Sequence, residues 1–194
     1  MAALSEPLER FAAWFADAEQ AGVDVPEAMT LATATADGVP SARMVLLKSA
    51  DEDGFVFYTG YVSRKATELD ENPRAALVLY WQRLGKQVRV EGRVERVSAA
   101  ESAAYFSTRP RGSQLAAWAS QQSRPLSSRE DLERRYAELE NEYEGREVPL
   151  PPHWGGYRLR PDAIEFWEHR ENRLHDRIRY TRAREGWTSA RLSP

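Results

Sequence analysis

Cysteine is absent from the 194 residues, which removes disulfides, thiolate nucleophiles, iron–sulfur clusters and Cys-based zinc sites together and suits a reducing compartment. Long apolar runs are absent too. The longest, Ala75 to Trp81, is far too short to span a bilayer. Met1 to Ala18 mixes Glu6, Glu9, Arg10 and Asp17 among its apolar residues, unlike a signal peptide, so a cytoplasmic location is expected. No Gly-x-Gly-x-x-Gly, Walker loop or Gly-x-Ser-x-Gly occurs, which leaves dinucleotide folds, P-loop phosphoryl transfer and α/β-hydrolase chemistry without support. The three histidines, His153, His169 and His175, lack the spacing of a helical metal pair, and no metal site is expected. Lysine is scarce as well: of 27 cationic residues only Lys48, Lys65 and Lys86 are lysines. Positive charge therefore sits on guanidinium forks, which suit phosphate and carboxylate groups.

The net charge of −3 argues against a nucleic-acid coat, although His169 to Arg191 is locally rich in arginine. A chain of 22.1 kDa hides roughly 70% of its unfolded surface on folding, enough for one substantial core. With no repeat and no long linker, one domain is expected.

The chain opens with a helix signature. Ser5 stands as N-cap, Pro7 falls in the first turn, Gly22 follows the end, and Leu8, Phe11, Trp14, Phe15 and Ala18 recur at helical spacing. The period then changes to two. Met29–Thr35 and Ser41–Ser49 read as strands around an Asp37-Gly38 turn, with Phe55–Thr59, Ala75–Trp81 and Gln87–Val97 as further strands and Gly92 as a site for a bulge. A short helix is expected over Ser63–Glu71. Ser98-Ala-Ala-Glu101 and Ser127-Ser-Arg-Glu130 are capping boxes for two more. From Gly156 two or three strands follow. Strands joined by short turns imply an antiparallel, barrel-like sheet with helices packed against it.

Several groups could bind anions. Ser63-Arg64-Lys65 at a helix start offers backbone N–H groups, a hydroxyl and two cations, or else is a capped helix with solvated charges. Arg43 and Lys48 would point to opposite faces of a regular strand. Tyr105, Arg109 and Ser113 recur every four residues and could converge on one dianion if the helix continues past Pro110 or turns sharply there. In an extended segment Arg173, His175 and Arg177 would share one face, as a planar charged ligand requires; the plainer reading is a polar hairpin with Trp167 packed inside.

Taken in order, Arg43-Met-Val-Leu-Leu-Lys48, Phe57-Tyr58-Thr59 with Ser63-Arg64-Lys65, Ser107-Thr-Arg109-Pro110 with Ser113-Gln114, and Asn172-Arg173-Leu174-His175-Asp176-Arg177 resemble the pyridoxamine 5′-phosphate oxidase family over nearly the whole chain. The resemblance implies a mainly β fold with packed helices, a Greek-key split β-barrel over residues 1–194. That fold forms a homodimer with FMN at the interface, and segment 156–194 contributes to substrate and flavin binding. Positions matching Arg43, Arg64 and Lys65 would hold the flavin phosphate. Those matching Met44, Val45, Leu46, Leu47, Lys48, Tyr58, Thr59, Gln87, Gln122, Ser123, Trp167 and Arg177 would line the rest of the cofactor. Lys48, Tyr105, Arg109 and Ser113 match the substrate-phosphate site, and Arg173, Leu174 and His175 the substrate ring, with Arg173 and His175 in the catalytic roles.

The implied reaction oxidises pyridoxamine or pyridoxine 5′-phosphate to pyridoxal 5′-phosphate, with dioxygen as acceptor and hydrogen peroxide released. Many members begin with an Arg-x-x-Tyr extension that folds over the substrate, which the present sequence is expected to lack. Two alternatives stand beside this one: a related flavin oxidase acting on another planar, phenazine-type substrate, and a flavin- or pyridoxal-phosphate-holding module without turnover.

Overall fold

The computed structural model describes residues 5–194. Among the described residues nine strands form one curled antiparallel sheet: β1 (Ala28–Ala34), β2 (Pro40–Leu46), β3 (Ser49–Asp51), β4 (Gly54–Gly60), β5 (Arg74–Trp81), β6 (Lys86–Arg96), β7 (Trp154–Glu168), β8 (Asp176–Arg182) and β9 (Trp187–Arg191). The order is β2-β1-β5-β6-β7-β4-β3, with β8 and β9 continuing from β7. On one edge, β7 pairs with β6 along nearly its whole length. On the other it serves two neighbours, β4 through residues 154–159 and β8 through residues 163–168. A flat sheet cannot satisfy that branching, so the sheet splits and curls into a half-barrel.

The described residues add five helices: α1 (Glu6–Gln20), α2 (Arg64–Glu71), α3 (Ala99–Thr108), α4 (Arg111–Ala119) and α5 (Arg129–Glu142). The α1 stripe reaches the core as its spacing predicts. Leu8 and Phe11 are buried, Phe11 meets Phe55 edge-on at 5.0 Å, and Trp14 meets Phe166 at 5.2 Å. Each large apolar side chain so buried contributes about 2 kcal/mol. Ser5 is the N-cap, but its hydroxyl donates to Glu52 rather than capping the helix. A second apolar cluster of Phe106, Leu115, Val148 and Trp154 ties α3, α4 and α5 to the start of β7.

Four expectations are refined. The strand expected over Ser41–Ser49 ends at Leu46, where the Leu47 side chain turns into the core and the Lys48 N–H donates to Val56 across the sheet. The second capping box shifts by one residue: Ser128 accepts from the Asp131 N–H, while Ser127 pairs with the Asp131 carboxylate. The α3 helix stops before Arg109, and Pro110 caps α4, so the chain turns sharply there. Finally, Asn172 and Arg173 adopt φ of 54° and 62°, and β8 begins only at Asp176. The segment around Arg173 is therefore a left-handed turn, and alternation cannot put Arg173, His175 and Arg177 on one face.

Gly92 occupies the expected bulge, where the β6–β7 register shifts. A Cβ there would lie 2.0 Å from the Arg160 carbonyl oxygen, which is backbone and cannot swing aside. Gly92→Ala should therefore lower the unfolding free energy by about 1–3 kcal/mol, measured by urea denaturation; an unchanged midpoint would show that the bulge has room to relax.

Candidate active site

A cleft of about 360 Å³ opens between the β2–β4 end of the sheet and the helical cluster. Met44, Val45, Leu46 and Lys48 line one side, Tyr58, Thr59 and Lys65 its floor, and Tyr105, Arg109, Gln122, His153 and Trp154 the other side. The break after Leu46 is what admits Lys48: once the strand ends, alternation no longer dictates its direction.

Lys65 is the second residue of α2 and only 6% exposed. Its ammonium donates to Thr59 at 3.0 Å, Ser63 at 3.3 Å and Gln122 at 2.8 Å, all neutral acceptors. Among the described residues no carboxylate lies within salt-bridge distance of it. Burial pushes its pKa down to about 8, the nearby Arg43 charge adds to the fall, and Glu68 opposes it. Neighbouring Arg43 and Arg64 converge on buried Glu68, at 3.1 and 2.8 Å.

Across the cleft, Arg109 lies over the Trp154 ring at 4.6 Å, in reach of cation–π attraction. One of its terminal nitrogens is buried without a hydrogen-bond partner, and burial lowers its pKa. Trp154, Tyr58 and Tyr105 lie nearly parallel, Tyr58 and Tyr105 at 4.0 Å. Tyr58 fits because its strand partner is Gly156, where a Cβ would meet the Tyr58 ring at 2.7 Å. Burial, with the Glu101 charge behind it, raises the Tyr58 phenol to about 12, so it stays a neutral donor near pH 7. The cleft thus holds two cationic foci, Lys65 and Arg109, that lack a compensating anion. Two phosphate groups would supply one.

The remaining expected residues gather elsewhere. Gln87, Trp167 and Arg177 are direct cross-strand neighbours on β6, β7 and β8, and so share one face of the sheet. The Arg177 guanidinium is held by buried Glu165 at 2.8 and 2.9 Å. His175 packs against Trp167 at 4.6 Å, and its Nδ1 accepts the Arg170 N–H. Arg173 and Leu174 are exposed on the turn. None of these lines the cleft. From Trp154 to Trp167 the chain runs thirteen residues along β7, about 40 Å of strand. Arg43, Leu47, Arg64, Ser113 and Ser123 also lie outside the cleft lining, Ser123 at φ 70°.

Sequence reasoning passed over Trp154, His153, Glu68 and Glu165. The pairing of Trp154 with two glycines was the available signal, since bulky aromatic packing needs such gaps. Among the described residues no group of three His, Asp or Glu side chains could hold a metal, and no helix is long and apolar enough to cross a membrane.

Residues 15–143 match the family model described as pyridoxamine 5′-phosphate oxidase, and residues 154–194 the one described as pyridoxine 5′-phosphate oxidase C-terminal dimerisation region. The pyridoxine/pyridoxamine 5′-phosphate oxidase of Rubrobacter xylanophilus is 62% identical over 189 residues, covering 97% of this chain and 87% of that relative. The structure of PhzG from Burkholderia lata 383, in complex with tetrahydrophenazine-1-carboxylic acid, superposes with a TM-score of 0.93 at 38% identity, covering 98% of this chain and 93% of that one. A pyridoxamine 5′-phosphate oxidase-related, FMN binding protein from Nostoc punctiforme shares the fold along the full length of both chains, with a TM-score of 0.78 at 18% identity.

The low pKa of Lys65 carries a signed consequence. Below pH 8 its ammonium is charged and available to a phosphate; above pH 8 the free protein must take up a proton to bind one. FMN affinity should therefore fall above pH 8 by up to about tenfold per pH unit, while riboflavin affinity stays flat. Flavin fluorescence quenching between pH 7 and 9.5 measures both, and a flat FMN profile would contradict this role for Lys65.

Proposed function

Because the chain belongs to the pyridoxamine 5′-phosphate oxidase family, we propose that it oxidises pyridoxine and pyridoxamine 5′-phosphates to pyridoxal 5′-phosphate, using FMN. The observation that carries this reading is the pair of uncompensated cations in one cleft, Lys65 beside Arg43 and Arg64, and Arg109 on Trp154. The donor set fits the cofactor. Lys65, Thr59, Gln122 and the fork of Arg64 would hold its phosphate, with Met44 to Leu46 beside the ring. FMN, when bound, supplies a two-electron acceptor.

Arg109, Lys48 and Tyr105 would hold the substrate phosphate and so fix the distance from that anchor to the reacting C4′ carbon. Among the described residues Lys48 has only a long ion pair, to Glu27 at 4.0 Å, which a phosphate would displace. Tyr58, its phenol pushed up to about 12, keeps its proton as a donor. Pyridoxine 5′-phosphate gives up two electrons and two protons at C4′ to become the aldehyde. With pyridoxamine 5′-phosphate the resulting imine takes up one water and releases ammonia. Dioxygen accepts the two electrons and two protons as hydrogen peroxide.

Arg173 and His175 would close over the substrate ring from a second copy of the chain. Three observations support that arrangement: the length of β7 separating them from the cleft, the match of residues 154–194 to a dimerisation region, and the apolar side chains exposed on the sheet, Met44, Leu46 and Tyr80. A two-fold dimer would then build two equivalent sites, each from both chains.

A second reading, oxidation of a tricyclic carboxylate, draws on the PhzG likeness. The higher identity to the Rubrobacter oxidase and the presence of two separate cationic foci favour the phosphorylated substrates.

Purified protein should form one hydrogen peroxide per aldehyde from pyridoxine 5′-phosphate. Arg109→Ala should raise KM by about tenfold or more with FMN still bound, and Arg173→Ala should lower kcat by at least about tenfold with FMN still bound. Co-expressing the two variants should restore about a quarter of wild-type activity, because half of randomly formed dimers carry one intact site. No recovery on mixing would refute the shared site, and turnover only on tetrahydrophenazine carboxylate would favour the second reading.

A further inference from the structure

Glu68 is 2% exposed, yet it faces two guanidinium groups and two hydroxyls. Its Oε1 accepts from Arg64 Nε at 2.8 Å, and its Oε2 from Arg43 at 3.1 Å and from the hydroxyls of Thr33 and Ser41. Burial alone would push this carboxyl upward, but the hydrogen bonds from Ser41, Thr33, Arg64 and Arg43 outweigh it and hold the group at about 2. It is an anion at any working pH.

The two arginines emerge differently from this contact. Arg43 spends four of its N–H groups on protein, one nitrogen on Leu31 and Thr33 and the other on Ser41 and Glu68. Among the described residues Arg64 is bound only through Nε, which leaves both terminal nitrogens without a protein partner on a side chain 60% exposed. A guanidinium anchored at Nε presents its two terminal N–H groups as a fixed fork, the geometry that grips phosphate bidentately. Charge agrees. Three cations, Arg43, Arg64 and Lys65, less one carboxylate leave a net charge of +2, matching a phosphate of about −1.5 to −2. A buried ion network stabilises a fold weakly but fixes geometry well.

We propose that Glu68 is a positioning residue for the flavin phosphate: it pins Arg43 beside Lys65 and aims the free fork of Arg64. This rests on the reading that the cleft binds FMN. The alternative roles for such a carboxylate are to attenuate excess positive charge or to staple α2 to the sheet.

Two conservative variants separate these roles. Glu68→Asp keeps the charge but is one methylene too short to reach both arginines, whereas Glu68→Gln keeps the reach but loses the charge and turns one of the two accepting oxygens into a donor, so it holds only one arginine. The positioning role predicts that Glu68→Asp and Glu68→Gln each weaken FMN binding by about tenfold or more. Riboflavin affinity, by fluorescence quenching, should stay within about twofold for both, since riboflavin has no phosphate to be gripped. Tighter FMN binding by Glu68→Gln with no change in Glu68→Asp would mean charge attenuation and overturn the proposal. Equal losses for FMN and riboflavin, tracking a lower Tm, would mean a staple and overturn it too. Wild-type protein that does not prefer FMN to riboflavin would instead refute the cofactor reading beneath it.

Discussion

The ammonium of Lys65, buried among a threonine, a serine and a glutamine, is the interaction on which the rest of the structure turns. Taking a cation out of water costs several kcal/mol unless a counter-charge meets it, and here none of the described side chains does. The fold meets this cost through β4, which brings Thr59, through the start of α2, which brings Ser63, and through the segment after α4, which brings Gln122. A site assembled from three separate parts of the chain around one uncompensated charge is organised for an anion that comes from outside the protein. Arg109 repeats the logic at the other side of the cleft, its guanidinium half-hidden on Trp154 with one nitrogen unsatisfied.

The half-barrel explains why this charge sits at one end of β7 while the second group of functional candidates sits at the other. β7 exchanges β4 for β8 as partner along one edge, so its first half builds the cleft wall and its second half carries Trp167 beside Gln87 and Arg177. The two ends hold their arginines by the same device, a buried carboxylate: Glu68 for Arg43 and Arg64, Glu165 for Arg177. Such pairs fix a guanidinium in one orientation before any ligand arrives, which lowers the ordering cost of binding.

Much of the fold was legible because local chemistry decided it. The α1 stripe, the Asp37-Gly38 turn and the Ser98 cap rest on neighbours within a few residues, and Gly92 marks its bulge by the side chain it lacks. The departures are places where tertiary partners decide. β2 breaks because the Lys48 N–H bonds to the carbonyl of Val56, eight residues further along the chain on β4. With Ser127 and Ser128 adjacent, and both Glu130 and Asp131 within capping reach, the sequence could not choose the cap. The left-handed pair Asn172–Arg173 overrides an alternation that would otherwise continue. At the site, the anion-binding residues could be named from their motifs, but Glu68 and Glu165 could not. A carboxylate in a charged helix looks solvated until the strands it faces are known.

The measurement that bears most directly on this account is a single anaerobic turnover: protein loaded with FMN, oxygen excluded, pyridoxine 5′-phosphate added, and the visible flavin absorbance followed. The account predicts loss of the oxidised flavin band with one aldehyde formed per flavin reduced. An unchanged spectrum from folded, FMN-saturated protein would contradict it.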